Sequence, residues 1–181
     1  MAASILIAGL GNIFHGDDAF GVSVIHKLSV LPFPKAVRIM DVGIRSIDLA
    51  FALLEPNDLT ILVDATARGG APGTLYTIEI EPEDVPEISR EALLSNSHGV
   101  DPVRALALAK SMGAQFRKTL LIGCEPLLLN HDESGHIGLS EVVEAAVNSA
   151  VTIIRQIVEE FIRGGPAFNL KKDEVCSHEC T

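Results

Sequence analysis

The sequence predicts an α/β protein: a three-layer α/β/α sandwich with a twisted, mostly parallel five-stranded sheet, one antiparallel edge strand, and helices on both faces. Three observations carry that prediction. Short aliphatic runs bounded by glycine alternate with helical patterns, as buried parallel strands and their crossovers do. Hydrophobic residues make up 48% of the chain but aromatic ones only 4%, with no Trp, so the core must be aliphatic, as under helix-covered sheets. Finally, one inter-strand connection is too short for a parallel crossover.

The stretch Ile5 to Val22 begins as a short apolar run bounded by glycines, the first strand, and after Gly9 and Gly11 the chain turns through His15, Asp17 and Asp18. A helical pattern follows in Phe20, Val22, Val24, Ile25 and Leu28. Val37 to Val42 reads as a second buried strand, and Ser46 as the N-cap of a helix running to Leu54. Leu59 to Val63 is the third strand, ending on Asp64. The nine residues Ala65 to Gly73 then lead straight into a fourth strand, Thr74 to Ile80. A parallel crossover takes about a dozen residues or more, so this strand should run antiparallel at an edge. Glu81 to Asn96 is acidic, contains two prolines and reads as a loop with a short helix, closed by His98. A helix follows from Asp101, then a fifth strand, Thr119 to Gly123, and an irregular segment, Cys124 to Leu139. Ser140 is placed to cap the longest helix, Glu141 to about Ile162, whose stripe of Val143, Val147, Ala150, Ile154, Ile157 and Phe161 must face the sheet. Gly164-Gly165-Pro166 ends it, giving one domain over 1–165 and a flexible tail over 166–181.

At 181 residues the chain can bury one good core and does not need two. A formal net charge of -10 opposes a phosphate-tracking surface, so nucleic acid is not an expected partner. Ala2 to Leu10 has no basic flank and runs into Gly11-Asn12, unlike a signal peptide. No run approaches the ~18 apolar residues of a membrane span, so no membrane contact is expected. Three cysteines, two of them at the end of the chain, fit reduced thiols in the cytoplasm.

The polar residues fall where chemistry could be built. Asp18 lies past the first strand, Asp64 ends the third, and His98 sits in the loop after the fourth. If the first and third strands are parallel neighbours, both carboxylates share one rim and the long loop can bring His98 over it. Two oxygens and one imidazole nitrogen with open positions suit a divalent first-row metal. Taken singly, each has an ordinary reading: Asp17 or Asp18 as a helix cap, Asp64 as a turn former, His98 as a surface histidine. Their convergence favours a site. Other signals are weaker. Phe14 stands where a dinucleotide fingerprint needs glycine, no Gly-x-Ser-x-Gly elbow occurs, Cys176-Ser177-His178-Glu179-Cys180 lacks a second ligand pair, and Cys124 reads as a small buried residue.

Several motifs together make a specific resemblance. They are Gly9-x-Gly11-Asn12 with Gly16-Asp17-Asp18 and Gly21-Val22; Val63-Asp64-Ala65 with Gly69-Gly70-Ala71-Pro72-Gly73-Thr74; Ser97-His98; Gly123-Cys124-Glu125-Pro126; and Gly138-Leu139-Ser140. From Ile5 to Ile162 the chain resembles the [NiFe]-hydrogenase maturation endopeptidases. That resemblance implies a cytoplasmic, usually monomeric hydrolase, sometimes classed as an aspartic-type peptidase. Its expected reaction removes the C-terminal extension of a nickel-loaded large-subunit precursor. It implies nickel, supplied by the substrate, bound by Asp18, Asp64 and His98, with Asp18 and Asp64 as catalytic candidates and cadmium or zinc as surrogates. It also implies substrate recognition by Asp41 and Gly43, although the family's Thr-x-Gly after that loop is Ile44-Arg45-Ser46 here. The implied partner is the precursor, in a transient complex with its maturation chaperone. Whether the metal polarises the carbonyl, activates water or places the peptide beside a carboxylate base is left open.

Two rivals remain. A non-catalytic nickel-binding or partner-binding module would hold the precursor without cutting it. Peptidyl-tRNA hydrolase also begins with a strand into Gly-Leu-Gly-Asn, but Ile13-Phe14-His15-Gly16 departs from its Pro-Gly continuation and the acidic surface opposes tRNA.

Overall fold

The computed structural model describes residues 3–87, 102–127 and 137–164, together with the main chain of 174–176. Strand β1 (Ile5–Leu10) leads through a 3-10 turn (Gly16–Ala19) into helix α1 (Phe20–Ser29). Then come β2 (Val37–Gly43), α2 (Ser46–Leu54), β3 (Leu59–Ala65), β4 (Leu75–Glu79), α3 (Pro102–Ser111), β5 (Lys118–Cys124), α4 (Glu141–Ile162) and β6 (Glu174–Cys176). The sheet order is β2-β1-β3-β5-β4-β6. β2, β1, β3 and β5 are parallel, and β4 is antiparallel to β5, as its short connection requires. The five expected strands are therefore all present. A further three residues from the segment expected to be a loose tail pair with the outer side of β4.

Alternate side chains of each strand serve two cores, because successive Cβ atoms point to opposite faces. Ile5, Ile7, Ile61 and Ile122 pack under α1 and α4, against Phe20, Val24, Val147 and Ile154. Leu6, Ala8, Leu62 and Leu121 pack under α2 and α3, against Leu49, Leu53 and Leu106. The expected stripe of α4 faces the sheet, with Val143, Val147, Ala150, Ile154 and Ile157 buried and Phe161 packed beside them. β1 is buried throughout, whereas in β2 Arg38 and Asp41 are exposed, Val37, Ile39 and Met40 are half-buried, and Val42 is buried. The sequence reading of Val37 to Val42 as a second buried strand is corrected here: the strand is present, but of its residues only Val42 is buried. Among the described residues β2 pairs with β1 alone and stands at the sheet edge.

Two caps differ from expectation. Ser46 is the first residue of α2, Arg45 occupies the N-cap, and no side chain closes that turn. Ser140 does occupy the N-cap of α4, but its hydroxyl points elsewhere. No helix among the described residues is long and apolar enough to cross a membrane.

The strand order places a switch point between β1 and β3. From β1 the chain winds outward to β2 over α1, then returns over α2, on the other face, to β3 on β1's opposite side. Crossovers that diverge in this way leave a crevice outside the carboxyl ends of the two strands.

Candidate active site

Glycines bring α1 down onto that crevice. A Cβ on Gly9 would strike the Gly21 carbonyl, and one on Gly21 would strike the carbonyl oxygens of both Leu10 and Val63. The start of α1 thus rests directly on the ends of β1 and β3, a contact only glycine permits. Gly11 has φ +127°, and a side chain there would run into the Asp18 carbonyl. The 3-10 turn is therefore pressed against the exit of β1.

Asp18 is half-buried in this turn, and its Oδ2 accepts the Asn12 N–H at 2.7 Å. A carboxylate has about four lone-pair positions, so that bond leaves the group able to take another ligand. Asp64 follows Val63, which lies level with Gly9 of β1, and it is only 7% exposed. On its other side β5 places Gly123 directly opposite Asp64. The structure thus brings Asp18 and Asp64 to the same rim at the switch point. His98 lies outside the described residues. Among the described residues no three His, Cys, Asp or Glu side chains form a metal-binding group.

Asp17 has another task. It is fully buried and accepts the Leu127 N–H at 2.8 Å, the Ser140 N–H at 2.7 Å and the Ser140 hydroxyl at 2.9 Å. Its charge sits at the positive end of α4 and ties the Asp18 turn to residues 110 and 123 positions away. Neither Asp17 nor Asp18 bonds the N-terminus of α1 through its side chain, so the ordinary helix-cap reading does not hold.

Asp41 and Gly43 lie on the neighbouring strand end. The Gly43 carbonyl accepts the Gly11 N–H at 3.1 Å, which sets the β2–α2 turn beside the exit of β1. Asp41 is exposed and lies 3.2 Å from His26 Nε2 of α1.

A second buried carboxylate, Glu125, organises the opposite wall. It accepts the N–H groups of Arg68 at 2.8 Å and Gly69 at 3.1 Å, and the Tyr76 hydroxyl at 2.7 Å. Burial raises its pKa, but the hydrogen bonds from Tyr76, Arg68, Gly69 and Gly70 outweigh that and leave it below its ordinary value. Burial, then the Glu125 partner, push Tyr76 up. Cys124 is buried as expected and its thiol is pushed up to about 12, by burial first and then by Asp17 and Glu125. At neutral pH it is a protonated thiol and an inert one. The sequence reading did not single out Glu125. Its signal was an acidic residue directly after the apolar run Leu120 to Cys124, in Gly123-Cys124-Glu125-Pro126.

Two carboxylates at the switch point of a three-layer α/β/α sheet define a class of protein that builds its site at the strand ends. Comparison with known proteins narrows the class. Residues 22–157 match the family model of the hydrogenase maturation proteases. The hydrogenase expression/formation protein HoxM of Azotobacter vinelandii is 35% identical over 160 residues, covering 88% of this chain and 74% of HoxM. The hydrogenase 2 maturation protease of Escherichia coli is 28% identical over 86% of this chain and 91% of its own. Among solved structures, the E. coli hydrogenase maturating endopeptidase HybD superposes with a TM-score of 0.69 at 28% identity, covering 87% and 93% of the two chains. A hydrogenase 2 maturation peptidase from a Thaumarchaeota archaeon gives 0.65 at 32%, over 86% and 98%. The chain belongs to the hydrogenase maturation protease family.

Proposed function

We propose that this protein is the endopeptidase that trims the C-terminal extension from a [NiFe]-hydrogenase large-subunit precursor after nickel insertion. The observation that carries this reading is the shared rim of Asp18 and Asp64 at the β1/β3 switch point. Nickel is cargo of the substrate here. Held by the precursor's own thiolates, it completes its coordination with Asp18, Asp64 and His98, a set of two oxygens and one nitrogen suited to such an ion. An unloaded precursor lacks the ion and is not engaged, so recognition and positioning become one event. Asp41 and Gly43, beside the exit of β1, contact the precursor chain near the cut.

The two carboxylates differ in setting. Asp64 is buried at the end of β3, while Asp18 sits on a turn and keeps more contact with solvent. Both place the scissile peptide, and one serves as base toward the attacking water.

The test is mass spectrometry of a nickel-loaded precursor incubated with the purified protein. Release of the extension by the wild-type chain, and its loss in Asp18→Asn, Asp64→Asn and His98→Ala, is expected. Unimpaired cutting by both aspartate variants would sink the residue assignment. A precursor that is bound but never cut would instead mean a non-catalytic binding module.

A further inference from the structure

Residues 67–72 between β3 and β4 are exposed and contribute nothing to either core, yet the loop they belong to is fastened by main-chain and side-chain hydrogen bonds at both ends and in the middle. Main-chain bonds secure its two ends: Thr66 N–H to the Cys124 carbonyl at 2.8 Å, Gly73 N–H to the Glu125 carbonyl at 2.8 Å, and Glu125 N–H to the Thr74 carbonyl at 2.8 Å. The Glu125 carboxylate holds the middle through Arg68 N–H, Gly69 N–H and the Tyr76 hydroxyl. Gly70 lies so close to that hydroxyl that a Cβ would collide with it. The Arg68 guanidinium lies over the Tyr76 ring, 5.4 Å from its centre.

Apolar burial does not explain this arrangement. The hydrogen bonds outweigh the cost of burying the Glu125 carboxylate, but the loop they hold is exposed and adds nothing to either core. What the arrangement secures is a fixed shape. The loop starts two residues beyond Asp64, at the same end of the sheet, and its Gly69-Gly70-Ala71-Pro72 stretch offers a surface almost free of side chains. Open space lies before Gly69, so a peptide main chain can approach closely.

We propose that Glu125 is a positioning residue that holds loop 66–73 as a rigid shelf on which the extended C-terminal peptide of the precursor lies before cleavage at Asp18 and Asp64. This deepens the protease reading and rests on it. Glu125 never touches the substrate; it acts through the loop. A carboxamide at this position has one acceptor oxygen and a donor group, so it cannot serve Tyr76, Arg68, Gly69 and Gly70 together.

The test compares full-length wild type, Glu125→Gln and Tyr76→Phe. Hydrogen exchange follows the Arg68 and Gly69 amides, and initial rates on nickel-loaded precursor separate KM from kcat. Glu125→Gln should keep its circular dichroism, lose protection at both amides, and raise KM about fivefold or more with kcat within about twofold. Tyr76→Phe removes a single bond and should shift KM the same way by less, which keeps the test usable should Glu125→Gln not fold. Lost protection with unchanged KM would overturn the shelf, and retained protection would overturn the clamp. If the wild type does not cut at all, the protease reading fails on its own; the shelf is then decided by titrating the uncut precursor, and equal affinity for wild type and Glu125→Gln overturns it.

Discussion

Asp17 and Asp18 are adjacent and chemically identical, and the fold gives them separate work. Asp17 is buried against the Leu127 N–H and the Ser140 N–H and hydroxyl, whereas Asp18 accepts Asn12 N–H and remains half-exposed. In Asp17→Asn the amide group would face N–H and O–H donors, so the variant should lose about 2–3 kcal/mol in urea denaturation. Asp18→Asn should lose under about 1 kcal/mol while abolishing cleavage. Equal stability losses would mean that the two do not divide structure from chemistry. That division was not legible in the sequence, because the donors that define Asp17 lie more than a hundred residues away. Asp18 and Asp64 were legible as candidates because a strand end and a strand-to-helix turn are local features. Glu125 supplies a pH signature. Its folded pKa is depressed, so its contribution to stability is complete above the unfolded value near 4.5 and is lost as pH falls through the lower folded value. Urea midpoints measured from about pH 6 down to about pH 3 should therefore fall more steeply for wild type than for Glu125→Gln. Parallel curves would show that another group dominates the acid limb. Cys124, pushed up to about 12, should resist iodoacetamide at neutral pH in the folded chain and react only on unfolding, as mass spectrometry would show.

At the scale of elements, the joint between β1, α1 and β3 sets the site, and glycines make it. The Gly-x-Gly-Asn start does not complete a dinucleotide fingerprint, but it serves the close strand-to-helix approach that glycines in such fingerprints also serve. Gly21 lies between the Leu10 and Val63 carbonyls, and a methyl group there can be relieved only by moving backbone. Gly21→Ala should therefore destabilise by about 3 kcal/mol or more in chemical denaturation. It should also lower cleavage by more than the unfolded fraction accounts for, since the turn bearing Asp18 is lifted off the rim. A Gly21→Ala protein as stable as wild type would show that α1 does not rest on those carbonyls. Helices and strands themselves were readable, because apolar spacing is written within each segment. The Ser46 and Ser140 caps were not. A serine at a helix start signals a capping opportunity, but whether its hydroxyl turns inward depends on competitors such as Asp17, which only the tertiary fold supplies.

At the scale of the whole molecule, strand order decides what each strand experiences, and strand order is not local. β1, β3 and β5 each have a partner on both sides and a core above and below. β2 carries Arg38 and Asp41, its two exposed positions, where β1 is wholly apolar, and among the described residues it pairs with β1 alone, so the two charges in Val37 to Val42 were the local sign of its edge position. The antiparallel course of β4 was readable, because a nine-residue connection excludes the alternative. This ordering predicts how the molecule opens. Amides exchange through local fraying where few buried contacts resist it, and through global unfolding where many do. Native-state hydrogen exchange should find the slowest amides in β1, β3 and β5, exchanging only with the whole fold. β2 should exchange through a lower-energy opening that peels it and the start of α2 from β1 while leaving the β1/β3 crevice intact. The hydrogen bond from Gly11 N–H to the Gly43 carbonyl would break in that opening, so Asp41 and Gly43 would move while Asp18 and Asp64 stayed in place. Protection in β2 equal to that in β1 would refute this picture and require a further element covering that edge.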